Sequence, residues 1–109
     1  MENVTVNEGK TIAIISYLTF VGTIIAFVMN SDKKNSFASF HIRQALGFVL
    51  LSVAISSLRF IGIDGLVASA LWIGFFVLWL VAIFGAIQGE EKRIPFLGNQ
   101  FQEWFKGIG

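Results

Sequence analysis

TIAIISYLTFVGTIIAFVMN, residues 11–30, is the stretch that decides the class of fold. It holds twenty residues without a charged side chain, and a helix of that length extends about 30 Å, the thickness of the hydrocarbon core of a bilayer. Lipid offers no partner to backbone N–H and C=O groups, so a helix is favoured over an open strand. We therefore predict a first transmembrane helix over 11–30.

Two further apolar stretches follow. Fifteen uncharged residues separate Arg43 from Arg59, so a span over about 42–61 reaches the required length only if the Arg59 side chain extends to the interface. A charge held inside the membrane would cost at least about 2.5 kcal/mol. The sequence leaves open whether Arg59 points outward or into the bundle. A third span is predicted over 65–89, where twenty-five uncharged residues can cross with tilt.

The C-terminal stretch has an amphipathic pattern. After the charged residues 90–93, the side chains of Phe101, Trp104, Phe105 and Ile108 fall on one helical face. We predict a short interfacial helix over about 98–107 that lies on the bilayer. The predicted fold class is therefore all-α: one polytopic membrane domain with three transmembrane helices and a C-terminal amphipathic interfacial helix.

Composition excludes several classes of function. The chain of 109 residues is 55% hydrophobic and 14% charged, whereas soluble domains have about 45–50% apolar and about 25% charged residues. The net charge of +1 gives no general attraction to nucleic acid. There is no cysteine and one histidine, and no predicted span contains a carboxylate. We expect no catalytic residue, no cofactor and no metal site, and hence no enzyme.

Basic residues predict the orientation in the membrane. With three spans, the loop and tail residues Lys33, Lys34, Arg43, Lys92, Arg93 and Lys106 would share one side, and Lys10 and Arg59 the other. The positive-inside rule then places the N-terminus outside and the C-terminus in the cytoplasm. The N-terminal ten residues carry Glu2 and Glu8 and lack a signal-peptide pattern, so the first apolar run is expected to be retained in the bacterial inner membrane.

One group of polar residues forms a candidate site at the membrane surface. Helices two and three are expected to be antiparallel, which brings the start of one beside the end of the other. The candidate polar interfacial residues are His41, Arg43, Gln44, Gln88, Glu90 and Glu91. They could bind a lipid headgroup, peptide or ion, with Arg43 paired to Glu90 or Glu91. The alternative is that these side chains only anchor the helices at the interface.

Small residues at four-residue spacing are candidates for helix packing. Gly85 and Gly89 form GxxxG, and Ser52 and Ser56 repeat the spacing on helix two. Such positions let helix backbones approach closely in lipid. The contact could lie within one chain or between copies.

The order KTIAIISYLTFVGTIIAF, FASFHIRQALG and LWLVAIFGAIQGEEKRIPFLG resembles a family of small bacterial membrane proteins of unknown function. That family is described as similar to the central membrane subunit of the chloroplast inner-envelope protein-import (Tic) complex. The resemblance runs from Lys10 to about Ile108, and its most specific parts are HxRQ at 41–44 and GAIQGE…P at 85–95. It implies a helical membrane protein and supplies no catalytic or binding residues.

Three functions remain open at this point. The first is an accessory or scaffold subunit of a larger membrane complex, for example one in protein translocation or assembly. The second is a small transporter or channel formed by homo-oligomerisation. The third is a lipid- or surface-binding protein. The expected partners are the lipid bilayer and another membrane protein or a second copy of this chain.

Overall fold

The computed structural model describes residues 2–108, with side chains from Thr5 onward. Within that range the chain is helical and contains no strand, and it forms an elongated bundle of 49 × 23 × 22 Å. The elements are α1 (Glu2–Leu18), α2 (Phe20–Lys33), α3 (Ser36–Ser57), a 3-10 turn (Leu58–Ile61), α4 (Leu66–Gln88) and α5 (Gly98–Trp104).

The first apolar run does not form one helix. It breaks at Thr19, whose backbone is extended and whose side chain caps α2 by accepting a hydrogen bond from the Gly22 N–H at 2.9 Å. After α2, the Asn35 amide donates to the carbonyl of Thr5 near the start of α1 at 2.9 Å. The two helices are therefore antiparallel, and the prediction of a single span over 11–30 is wrong.

Hydroxyl groups explain why a fold-back is tolerated in an apolar segment. The Ser16 hydroxyl donates to the carbonyl of Ala13, and the Thr23 hydroxyl lies 2.7 Å from the carbonyl of Ser16 and 3.1 Å from that of Thr19. The bond from Thr23 supplies a partner to the Ser16 carbonyl, which lies in the last turn of α1 and which the helix break would otherwise leave open in lipid. Gly22 permits the close approach, because a Cβ there would overlap the carbonyl oxygen of Ile15.

Two segments are long and apolar enough to cross a membrane. They are Ser36–Ile61, which joins α3 to the 3-10 turn, and Leu66–Gln88. Between them the chain reverses at Gly62 and Gly65, both with positive φ, which glycine adopts at little cost. Arg59 lies exposed in the 3-10 turn with its guanidinium over the ring of Phe60, so it does not point into the bundle.

The two ends of the chain lie at one end of the bundle. A Cβ placed on Gly89, directly after α4, would lie 2.9 Å from Val6 and 3.8 Å from the Lys10 ammonium. The start of α1 therefore adjoins the end of α4. Lys10 therefore lies at the same end of the bundle as Lys92 and Arg93, whereas the three-span prediction put it at the opposite end, because the hairpin returns the chain toward its start. We call this the basic end, and the 58–65 turn marks the opposite end.

The tip of the hairpin lies about halfway along α4. The indole nitrogen of Trp79 donates to the carbonyl of Tyr17 at 2.8 Å, and α4 ends nine positions after Trp79, at Gln88. That distance is about 14 Å of helix, close to half of a hydrocarbon core of about 30 Å. The hairpin therefore fills only the half of the bundle next to the basic end, and α3 and α4 continue alone.

Helix α5 packs against α3. The ring of Phe101 fills the space that a Cβ on Gly47 would occupy, and the Gln102 amide donates to the carbonyl of Phe40 at 2.9 Å. Trp104 and Ile108, from the same predicted apolar face, are exposed. The helix thus uses part of that face inside the protein, and it ends at Trp104 instead of the predicted 107.

Candidate functional site

His41 and Gln44 lie one turn apart on α3 and are completely buried. Both were predicted to sit at an accessible polar surface. The rings of Phe37 and Phe40 meet the imidazole edge to face, with centroids 4.8 and 4.9 Å away, and so exclude solvent from it. The two polar side chains are therefore interior groups, and their hydrogen-bond partners decide what they do.

His41 joins the hairpin to the segment that follows α4. Its Nε2 lies 2.8 Å from the carbonyl oxygen of Glu90, and its Nδ1 lies 2.5 Å from the Tyr17 hydroxyl. Because a carbonyl can only accept, Nε2 carries the proton of that bond. The Tyr17 hydroxyl then donates to Nδ1, which satisfies both ring nitrogens.

Gln44 completes the same connection. Its Nε2 donates to the Tyr17 hydroxyl at 2.9 Å and to the carbonyl of Lys92 at 3.2 Å, and its Oε1 accepts from the Ile94 N–H at 2.9 Å. We call Tyr17, His41 and Gln44 the polar clamp. It fixes α1, α3 and the backbone of 90–94 to one another, and no buried side-chain nitrogen or oxygen in the described part of the chain lacks a partner.

The other four predicted site residues do not join the clamp. The guanidinium of Arg43 is half-buried and donates to the carbonyl of Ile108 at 2.8 Å, while Gln88, Glu90 and Glu91 are exposed. Arg43 forms no ion pair with either glutamate, since the ion pair found among residues 5–108 joins Lys106 to Glu103. The six residues therefore do not form one headgroup site, and Glu90 contributes its carbonyl and not its carboxylate.

A second buried polar group, which sequence reasoning did not single out, lies at the turn between α2 and α3. The Asn30 amide donates to the Ser39 hydroxyl at 2.9 Å, and its oxygen accepts from the Asn35 N–H at 2.9 Å. Asn35 also caps α3 by accepting from the Ala38 N–H, and it bonds to Thr5. The signal in the sequence was the two asparagines that flank the short loop, a residue type that favours caps and turns.

The predicted packing residues divide between several roles. Gly85 is buried against Lys92 of the segment that follows its own helix, and Gly89 forms the left-handed cap of α4 beside α1. Ser52 bonds to the carbonyl of Val49 within α3, whereas Ser56 is exposed. The GxxxG pattern therefore serves packing within the chain at Gly85 and Gly89.

The described residues do not provide what a metal site requires. No group of three or more histidine, cysteine, aspartate or glutamate residues lies close enough together to hold an ion in the part of the chain that the structure describes. The polar clamp has a positioning role: it holds three segments in register within the half of the bundle next to the basic end.

Comparison with known proteins gives consistent matches. The magnetosome magnetite crystal formation protein family (MamF/MmsF) matches residues 8–101. A UPF0132 membrane protein of Archaeoglobus fulgidus is 32% identical over 103 residues, which cover 86% of this chain and 92% of that protein. A UPF0132 membrane protein of Methanocaldococcus jannaschii is 28% identical over 92 residues, 81% of this chain and 80% of the relative.

No solved structure matches this chain. The family and the two relatives support the predicted membership of a membrane-protein family of uncharacterised function. None of them points to the chloroplast import subunit, so that part of the resemblance is not supported.

Proposed function

This chain belongs to the MamF/MmsF family of membrane proteins, and we propose that it is a non-catalytic scaffold subunit of a larger membrane complex. Its partners are then the lipid bilayer and another membrane protein. The observation that carries the proposal is the exposure of α4. Outward-facing apolar side chains, among them Leu66, Ile73 and Phe76, cover the helix in the half that the hairpin does not reach.

The distribution of buried polar groups favours a scaffold over a transport path within one chain. Among residues 5–108, the buried polar side chains are Ser16, Thr23, Asn30, Asn35, Ser39, His41, Gln44 and Gln102. All of them lie between the basic end and the tip of the hairpin, and their bonds are internal. A solute path needs polar groups through the whole membrane, whereas here they end at half depth.

A close-approach position lies on the exposed part of α4. Ala70 and Gly74 are both exposed and are spaced by four residues, and a Cβ on Gly74 would meet nothing within 4 Å. Helices in lipid associate by backbone proximity at such small residues. We therefore place the partner contact on α4 around these two residues.

Charge supports an orientation for the scaffold. The basic end collects Lys10, Lys33, Lys34, Arg43, Lys92, Arg93 and Lys106, whereas Arg59 is the basic residue of the opposite end. The positive-inside rule then puts the basic end in the cytoplasm. In this proposal the chain resides in the inner membrane, and both of its ends are cytoplasmic.

The name of the matched family refers to magnetite crystal formation. The proposal takes from it a place in a membrane assembly and does not include contact of this chain with a mineral. The opposite end carries one carboxylate, that of Asp64, between the two spanning helices. A scaffold role does not require further carboxylates at that end.

Native mass and co-purifying proteins after extraction in a mild detergent test the proposal. We expect a complex with a different membrane protein at fixed stoichiometry, and its loss in Ala70→Phe. Ala54→Phe is the matched control, because Ala54 is an exposed alanine on the other spanning helix. A monomer without a partner would overturn the proposal, and a complex of identical chains would favour the homo-oligomeric transporter instead.

A further inference from the structure

A cavity of about 530 Å³ lies above the tip of the hairpin, between α3 and α4. We propose that it holds one acyl chain of a phospholipid from the leaflet at the opposite end, and that Arg59 lies at the phosphate of that lipid. We call it the tip cavity. Its volume falls within the range of about 300–1,000 Å³ that is typical of small-molecule sites.

The walls of the tip cavity are apolar, and its polar groups are already engaged. Rings of Phe48, Phe75 and Trp79 line it. Each polar side chain that lines it has a hydrogen-bond partner within the chain: Ser16, Tyr17, Thr19, Thr23, Ser52 and Trp79. The cavity therefore does not require a polar ligand, and a hydrocarbon chain is the ligand that matches its apolar walls.

The floor of the cavity decides between a lipid chain and a partner helix. The hairpin residues 16–20 line the cavity and close it at about half the depth of the bundle. A transmembrane helix must continue through the whole core, so the hairpin would block it. An acyl chain of the opposite leaflet ends near the midplane, where the floor lies.

The length of the wall fits the same occupant. On α3 the lining residues run from Ala45 to Val53, which is about 12 Å of helix. Half of a hydrocarbon core is about 15 Å. The cavity can thus enclose most of one acyl chain between the opposite interface and the midplane.

Arg59 supplies charge complementarity between the cavity and the opposite end of the bundle. Ser52 and Val53 line the cavity, and the next positions on this face of α3 are Ser56 and then Arg59 in the 3-10 turn. Arg59 is exposed and makes no ion pair with Asp64. A lipid phosphate is an anion that a guanidinium at this level can bind in a charge-assisted hydrogen bond.

A titration with brominated phospholipid tests the proposal. The chain carries Trp72→Phe and Trp104→Phe, so that Trp79 is the reporter, and it is solubilised in a detergent without bromine. Phosphatidylglycerol with a dibrominated oleoyl chain is added to it. We expect saturable quenching of Trp79 at about one equivalent. Ser52→Phe, which fills the cavity, should weaken this binding by about tenfold or more, and Ser57→Phe should not change it.

Ser57 is a matched control because its hydroxyl bonds to the carbonyl of Val53 as that of Ser52 bonds to Val49, yet it is exposed and lines no cavity. Native mass spectrometry of the unaltered chain gives a second readout that needs no filling variant. One phospholipid should remain bound after detergent removal, and Arg59→Gln should lower the preference for phosphatidylglycerol over phosphatidylcholine.

Three results would overturn the proposal. They are quenching that rises without saturation, equal quenching in Ser52→Phe and Ser57→Phe, or a chain that keeps no lipid in the mass spectrometer. Loss of the partner complex through Ala70 leaves this site intact, because Ala70 does not line the tip cavity. The two proposals can therefore fail separately.

Discussion

Replacing Gln44 by methionine perturbs the polar clamp without a large change of volume. The substitution leaves the Ile94 N–H without its acceptor, in a residue that is 3% exposed. It also removes the amide that donates to the Tyr17 hydroxyl and to the carbonyl of Lys92. The effect should therefore appear both in global stability and in the local order of the segment that follows α4.

The expected loss follows from these three bonds. A buried donor left without a partner costs about 1–3 kcal/mol, and each side-chain bond lost inside a membrane protein costs about 0.6 kcal/mol on average. We expect Gln44→Met to lower the free energy of unfolding by about 2–4 kcal/mol. Unfolding by SDS in mixed micelles, followed by tryptophan fluorescence, measures this quantity.

Gln88→Met is the matched control, because Gln88 is exposed at the end of α4 and should change stability by less than about 0.5 kcal/mol. Trypsin provides a local readout, since Lys92 and Arg93 lie in the segment that Gln44 holds. Cleavage there should become faster in Gln44→Met and stay slow in Gln88→Met. Equal stability of the two variants, with unchanged cleavage, would refute the assignment of a clamp.

Two further predictions concern the hairpin. Gly22→Ala should destabilise the chain by about 1–3 kcal/mol, since a Cβ would overlap the carbonyl of Ile15, whereas Gly74→Ala should be neutral or stabilise by up to about 1 kcal/mol because its Cβ meets nothing. SDS unfolding compares the two, and an equal response would contradict the close approach. Asn35→Ala removes the α3 cap and the bond to Thr5. We expect it to lower the free energy of unfolding by about 1–2 kcal/mol and to speed amide exchange in the first turns of α1. Unchanged exchange there would count against the bond to Thr5.

The sequence predicted α4 well because the signal is local. The stretch 65–89 has no charge and ends in Gly89, and the structure has a helix over Leu66–Gln88. The run 11–30 has the same local signal. Its hydroxyl groups do not reveal the break, because serine and threonine side chains also fit the interior of a helix. The contact of Gly22 with Ile15 and the bond of Asn35 to Thr5 distinguish a hairpin from a span, and both form only once the chain has folded back.

The candidate site shows the same division. His41 and Gln44 were recognised as unusual, but their partners are backbone atoms about fifty residues further along the chain. Side-chain types do not reveal such partners, and they predict instead an ion pair with the carboxylate of Glu90 or Glu91. Tyr17 is absent from the predicted site, because nothing local links it to α3.

Cysteine labelling tests the re-entrant hairpin most directly, because the natural chain has no cysteine. Single cysteines at Asn7, Asp32 and Ile63 are exposed to a membrane-impermeant maleimide in intact cells. We expect labelling at Ile63 alone in intact cells, and labelling of Asn7 and Asp32 only after the membrane is opened, since both ends of the hairpin lie at the basic end. Labelling of Asn7 from outside, with Asp32 protected, would show that residues 11–30 cross the membrane and would contradict the account.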